Sequence, residues 1–262
     1  KLEMINKKIA FILIAVFLVC CGKKNVHVEE DLSPRFDKAM GYFDRGKYPR
    51  AKDEFDYIIM TDPGSKIANE SQYYMAEALF QMEEYSDASI SFDRYVRFSP
   101  NYTKIEKSRY RICECAILSS NAYQREQSQT HRALEQLQMF IEDFPTSDFE
   151  EDAENAIVEL RIKLAQKDFE VGRIYLKLEE YESALIYFRS VLNNYYDTSF
   201  ADDARIGIMF THILNDNWQG AVNYLRAEEG RFLSQKKYEE AETLLMDTET
   251  GLKLAQYIQL YR

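Results

Sequence analysis

The chain is poor in the residues that turn a backbone. Nine glycines and five prolines in 262 residues under-supply the tight turns of a sandwich or barrel and the glycine-rich loops of nucleotide folds. Basic side chains number 33 against 44 acidic ones, and the formal charge of −11 leaves no basic face for a phosphate backbone, so nucleic acid is excluded as a partner. The three histidines, His27, His131 and His212, lie far apart in no metal-ligand spacing, which removes support for a metal site. Cys113 and Cys115 would point about 200° apart on a helix, so they can neither pair nor share a metal and read as small apolar side chains. No cofactor is expected. Long apolar runs are missing too. The one from Ile9 to Val19 has 11 residues, short of the roughly 20 that a spanning helix needs.

Aromatic residues are abundant. With 19 Tyr, 16 Phe and one Trp, and 46% hydrophobic residues overall, the chain can bury a large core. Scarce breakers make that core helical by default.

The apolar run follows Lys7-Lys8 and fits the central region of a secretory signal. Leu18-Val19-Cys20-Cys21-Gly22 then resembles the lipobox of bacterial lipoproteins. Lipid is assigned to Cys21, which puts Leu18 at −3; cleavage before Cys20, or an ordinary cleaved signal, are the alternatives. Several acyl chains would anchor the protein stably, and Gly22 rather than Asp at the second mature position favours the outer membrane in the usual sorting rule. Lys1-Leu2-Glu3 precede Met4 and are set aside as a start-site artefact. Residues 1–20 are thus expected to be a signal peptide and 21–33 a lipidated acidic tether.

The remainder repeats itself. Aromatic-x-x-Ala recurs with Tyr48 and Ala51, Tyr85 and Ala88, Tyr181 and Ala184, Trp218 and Ala221, and Tyr238 and Ala241, with Ala133 in a weaker copy. Four residues after the alanine stands a large apolar side chain, such as Phe55, Phe92 and Phe188, and twelve residues after Ala51, Ala88 and Ala133 come Pro63, Pro100 and Pro145. Twelve residues before Ala51, Ala88 and Ala184 stand Ala39, Ala76 and Gly172. These match the tetratricopeptide (TPR) pattern, with small residues at positions 8 and 20, an aromatic at 24 and proline at 32. Small residues are needed there because helix axes approach closely only where side chains do not intervene.

Successive alanines are 37, 45, 51 and 37 residues apart, against 34 in the standard repeat, so these hairpins are stretched. Position 27, usually Ala, is Ile58, Tyr95, Phe140 and Val191, which predicts looser stacking there. Ser65, Ser147 and Thr198 are expected as helix N-caps, with Ser147 and Glu150 at capping-box spacing. The expected fold is all-α: helices over 34–46, 48–61, 66–83, 86–98, 103–125, 129–143, 148–178, 180–194, 200–215 and 218–229, with one or two more from 234. Repeats 1–3 would occupy 34–146, repeats 4–5 147–230, and a helical extension 231–262. The helix over 148–178 would bridge repeats 3 and 4.

In such an array, positions 2, 5, 9 and 12 of each first helix face a concave groove. They include Phe36, Met40 and Phe43 in repeat 1 and Tyr73, Glu77 and Phe80 in repeat 2, an apolar surface suited to an extended peptide with hydrophobic anchors. Phe169, Arg173 and Leu176 in repeat 4 suit a protein partner. No catalytic constellation stands out. The acidic pairs Glu29-Glu30, Glu150-Glu151 and Asp202-Asp203 read as solvated helix starts, so the chain is read as non-enzymatic.

Lipobox, acidic tether, stretched TPRs, Pro-x-Ser junctions and one long helix between repeats 3 and 4 together resemble the BamD family of outer-membrane β-barrel assembly lipoproteins, from Cys21 to about Leu225. The resemblance implies that the N-terminal repeats receive targeting segments of unfolded outer-membrane proteins, whose C-terminal residue is aromatic. It also implies that the C-terminal repeats dock on a BamA-like barrel subunit at the periplasmic face of the outer membrane. Two features depart from the family: a shorter loop between Tyr123 and His131, and the tail from Arg231. Another TPR lipoprotein adaptor, such as a secretin or pilus pilot or a peptidoglycan coordinator, is the competing reading.

Overall fold

A computed structural model describes residues 31–249; the signal peptide, Cys21 and the last residues of the extension lie outside them. The chain divides into two units, Lys1–Pro34 and Arg35–Arg262, and the second is the helical body. Among the described residues the elements are α1 (Ser33–Phe43), α2 (Tyr48–Thr61), α3 (Lys66–Gln81), α4 (Tyr85–Phe98), α5 (Tyr102–Leu118), α6 (Ser128–Asp143), α7 (Glu150–Lys177), α8 (Tyr181–Asn194), α9 (Phe200–Leu214), α10 (Trp218–Glu228) and α11 (Gln235–Glu249), with a 3-10 turn at Glu229–Arg231. Consecutive helices pack as antiparallel hairpins, each first helix also packing on the hairpin before it. This is the all-α TPR architecture.

The repeat residues explain the pairing. Ala39, Ala51, Ala76, Ala88, Ala133, Ala184 and Ala221 are fully buried, so axes meet where no side chain stands between them. Phe55, Phe92 and Phe188 are likewise fully buried, each contributing about 2 to 3 kcal/mol of transfer free energy. Pro63, Pro100 and Pro145 are exposed in the junction turns, where a missing N–H costs nothing. Inside the hairpins a Schellman turn recurs. Lys47, Glu84, Glu180 and Asn217 amides donate back to the Tyr42, Leu79, Tyr175 and His212 carbonyls, with Gly46, Glu83, Glu179 and Asp216 at positive φ between them.

Among the described residues, three apolar clusters divide the body. The first joins Ala39, Phe55, Tyr73, Phe92 and Cys115; the second joins Cys113, Ala133, Leu137, Phe140 and Leu160; the third runs from Ala165 to Leu244. Cys113 and Cys115 thus point to opposite sides of α5, and burial pushes both thiols up to about 12. The 28-residue α7 contributes Leu160 to the second cluster and Phe169 to the third, spanning repeats 3 and 4.

Several expectations need correction. Ile58, Tyr95, Phe140 and Val191 are at most 2% exposed, so large residues at position 27 fill the joints instead of loosening them. The helix expected to reach 125 stops at Leu118. There the Ser120 hydroxyl donates to the Ile117 carbonyl, and the Gln127 amide donates to Ala122 and Arg125 carbonyls, side chains competing with the helical ladder. Ser65 caps α3 by accepting from the Ala68 amide. Ser147 does not cap α7, whose N-cap is Phe149; its hydroxyl donates to Glu106 at 2.5 Å and accepts from the Phe149 amide. Thr198 donates to the Tyr195 carbonyl, one residue before the N-cap Ser199. Asp202 is no solvated helix start. It is 3% exposed, accepts from the Leu233 and Ser234 amides at 2.9 and 2.8 Å, and pairs with Arg205, which also binds Glu228.

Candidate functional site: a cleft across the first helices

The first helices α1, α3 and α5 lie side by side, and a cleft of about 460 Å³ opens across them, closed at one end by the turn into α7. Phe43, Tyr73, Tyr74 and Phe149 supply its aromatic surface, and Glu77, Glu106, Asp148, Lys104 and Lys107 its charge. The aromatic part is held by edge-on packing: Phe43 lies 5.5 Å from Tyr48 and 5.8 Å from Tyr74, and Tyr74 lies 5.3 Å from Tyr73. Phe149 is fixed from behind by stacking on Tyr110 at 4.6 Å.

The charged part ties successive repeats together. The Lys104 ammonium pairs with Glu70 and lies 4.7 and 5.0 Å from the ring centres of Tyr73 and Tyr74, a cation over π-faces. Glu77 accepts from the Tyr73 hydroxyl at 2.9 Å and from Arg111 at 3.4 Å, with Lys107 at 3.7 Å. Burial, and then the Glu77 charge, push the Tyr73 hydroxyl far above its ordinary range, so it stays a donor. Arg111 closes over Phe80, 4.5 Å from the ring centre. Lys107 is the most exposed of these cations, with 46% of its side chain open.

The expected groove residues therefore separate. Phe36, Met40, Phe43 and Phe80 are half-buried, Phe36 packing on Phe55 and Tyr74 at 5.8 and 6.0 Å. Tyr73 and Glu77 are 4% and 6% exposed, because α5 of the next repeat leans over them; they belong to the joint and reach the cleft only at its floor. The same lean corrects repeat 4. Phe169 and Leu176 are core residues, Phe169 lying 5.6 Å from both Phe188 and Phe200, and of that trio only Arg173 reaches the surface, paired with Glu170 at 3.1 Å.

Tyr74, Lys104, Lys107 and Phe149 were not singled out from sequence. A signal for the lysines exists: Glu70 with Lys104, Glu77 with Arg111 and Asp203 with Lys237 are opposite charges 34 residues apart, one repeat along the array. Among the described residues no group of three His, Cys, Asp or Glu is placed to hold a metal, and no helix is long and apolar enough to cross a membrane.

Comparison with known proteins gives a consistent picture. The profile of the family described as "YfiO: Outer membrane lipoprotein" matches residues 29–213. The outer membrane protein assembly factor BamD of Rickettsia prowazekii is 22% identical over 79% of this chain and 84% of its own. That of Pasteurella multocida is 23% identical over 91% and 98%. Among solved structures the TPR2AB domain of yeast Sti1 is 11% identical, with a TM-score of 0.41 over 83% of each chain; a superposition that loose adds nothing to the helix pairing described above.

Proposed function

Given that the chain belongs to the BamD (YfiO) family of outer-membrane lipoproteins, we propose that it is a non-enzymatic scaffold of β-barrel assembly, anchored at the periplasmic face of the outer membrane by lipid on Cys21. In this reading its first-helix cleft takes the targeting segments of unfolded barrel proteins, and repeats 4 and 5 dock a BamA-like barrel subunit. One observation supports the peptide reading: an aromatic surface from Phe43, Tyr74 and Phe149 lies within the same cleft as Lys107, whose side chain is 46% open and whose only ion-pair partner among the described residues, Glu77, stands 3.7 Å away. A peptide ending in an aromatic residue brings a ring and a terminal carboxylate together, and the cleft offers a partner for each.

The test is peptide affinity. A charge-assisted hydrogen bond contributes about 1.5 kcal/mol or more, so Lys107→Glu is expected to weaken capture of a barrel C-terminal peptide by about tenfold or more. Amidating the peptide's C-terminus should weaken binding to the unaltered protein to a similar extent. Unchanged affinity in both experiments refutes carboxylate recognition in this cleft.

A further inference from the structure

Antiparallel hairpins give the helical body two edges. One carries the turns inside hairpins. The other, the junction edge, gathers the C-terminal ends of second helices and the starts of first helices. Cross-links confirm the grouping: the Asn69 side chain on α3 donates to the Phe98 carbonyl at the end of α4, and Tyr102 at the start of α5 packs on Phe144 after α6, 5.7 Å away.

Apolar exposure is uneven between these edges. Phe98 at 75% and Met60 at 74% are the most exposed large apolar side chains among the described residues, and Tyr102 follows at 65%. Met60 stands in the last turn of α2, Phe98 ends α4 and Tyr102 begins α5, so all three lie on the junction edge of the N-terminal repeats. Single exposed apolar residues are ordinary; the two most exposed standing at successive junctions of one edge are less so. Cations accompany them. Lys66 opens α3 and Arg94 lies in the final turns of α4, both exposed, although the chain as a whole is acidic; Arg97 beside them is paired with Asp93 at 2.7 Å, and Asp62 is the exposed acid of the same edge. Farther along, at the start of α7, this edge turns anionic, with Asp148, Glu151 and Asp152 exposed. The helical body also begins on this edge, because Arg35 lies in the first turn of α1.

We propose that the junction edge of repeats 1 and 2 rests on a phospholipid surface, with Met60, Phe98 and Tyr102 entering the headgroup boundary and Lys66 and Arg94 at the phosphates. Amphipathic aromatic rings favour that boundary, and basic residues beside apolar ones are the composition that lies in it. A lipid anchor covalently joined through the chain that precedes Arg35 supplies the proximity that so small a patch could not achieve alone. The inference rests on the lipid-anchor reading of Cys21. It adds an orientation: one edge toward the bilayer, the turn edge away from it, and the first-helix cleft open sideways.

The chain holds one tryptophan, Trp218, at the start of α10 on the turn edge, which makes fluorescence quenching a direct test. The full lipidated chain carrying Trp218→Phe is reconstituted in phosphatidylethanolamine–phosphatidylglycerol vesicles, with or without brominated acyl chains. Phe98→Trp reports the junction edge and Leu178→Trp, at a residue 63% exposed on the turn edge, reports the other; Tyr102→Trp repeats the first measurement at a second site. Brominated lipid is expected to quench the Phe98→Trp and Tyr102→Trp proteins at least twofold and the Leu178→Trp protein by less than a tenth. Chain that floats with the vesicles but shows equal quenching at both edges overturns the orientation. Chain that fails to float overturns the anchor on Cys21, and the orientation falls with it.

Discussion

Phe188 offers the sharpest test of how the repeats are held apart. Its ring enters the space where α7, α8 and α9 meet, and two glycines face the same three ring carbons. A Cβ added at Gly172 on α7 would lie 2.8 Å from Cε1, and one added at Gly207 on α9 would lie 2.9 Å from Cζ. Ordinary carbon contacts begin near 3.5 Å, so either methyl must displace the ring by roughly half an ångström or more in a fully buried site. Overpacking of this kind costs about 1 to 3 kcal/mol, while alanine gains about 1 kcal/mol over glycine as a helix former. Each single Gly→Ala variant is therefore expected to lose about 0 to 2 kcal/mol. The double variant should lose more than the sum, since a ring moved away from one helix is moved toward the other. Phe188→Leu in the double variant should recover part of the loss. Urea unfolding followed by circular dichroism measures the four variants against the unaltered chain. A double variant as stable as the unaltered chain, or single variants that each gain the full helix-propensity increment, would refute the wedge.

Other expectations follow from the same packing. Arg205→Met leaves Asp202 and Glu228 facing each other with side chains 5% and 11% exposed, and urea unfolding should show a loss of about 3 to 5 kcal/mol. Ala51→Leu inserts volume into a fully buried helix contact and should cost about 1 to 3 kcal/mol in the same assay. Hydrogen bonding to Lys38, opposed by burial and reinforced by Arg35, holds the Glu54 carboxyl below its ordinary value. Its contribution is thus present above the unfolded-state value near 4.5 and lost as pH falls through the folded one, and Glu54→Gln should flatten the acid limb of the stability profile. Cys113 and Cys115, with thiols pushed up to about 12, should resist a disulfide reagent at pH 8 until denaturant is added, because the thiolate is the reacting form. Rapid labelling without denaturant would contradict their burial.

How much of this was legible depends on where each residue's partners lie. Ala39, Ala51 and Phe55 sit in one hairpin, so their spacing states their contact, and the helices follow from them almost turn for turn. Tyr73, Glu77, Phe169 and Leu176 are placed by the angle between hairpins, which no single repeat encodes; a pattern read within one repeat assigns them to an open groove. The charge pairs 34 residues apart do carry that angle, since Glu77 can meet Arg111 only if α5 leans across α3. Asp202 was misread for a related reason. Its acidity and its place in the first turn of α9 fit a solvated helix start, while the amides of Leu233 and Ser234 that bury it come from beyond the next helix. The early end of α5 is a local matter, written in Ser119-Ser120-Asn121, whose side chains favour turns over helix.

The cleft and the C-terminal repeats are joined by a continuous solid path. Phe149 lies at one end of the cleft and is also the N-cap of α7, so a side chain seated between Tyr74 and Phe149 bears on the head of that helix. A helix of 28 residues is about 42 Å long, and this one has no proline and only Gly172 to weaken it. Along its length it is held at Leu160 by the second cluster, at Lys163 and Lys167 by Ser120 and the Arg125 carbonyl, each at 2.7 Å, and at Phe169 and Leu176 by the third cluster. The Ser119–Gln127 segment therefore acts as a strap across the middle of α7. The spacing of the two halves is thus set by the unbroken α7, seated in the second cluster at Leu160 and in the third at Phe169, and the polar bonds of the strap brace its middle against repeat 3.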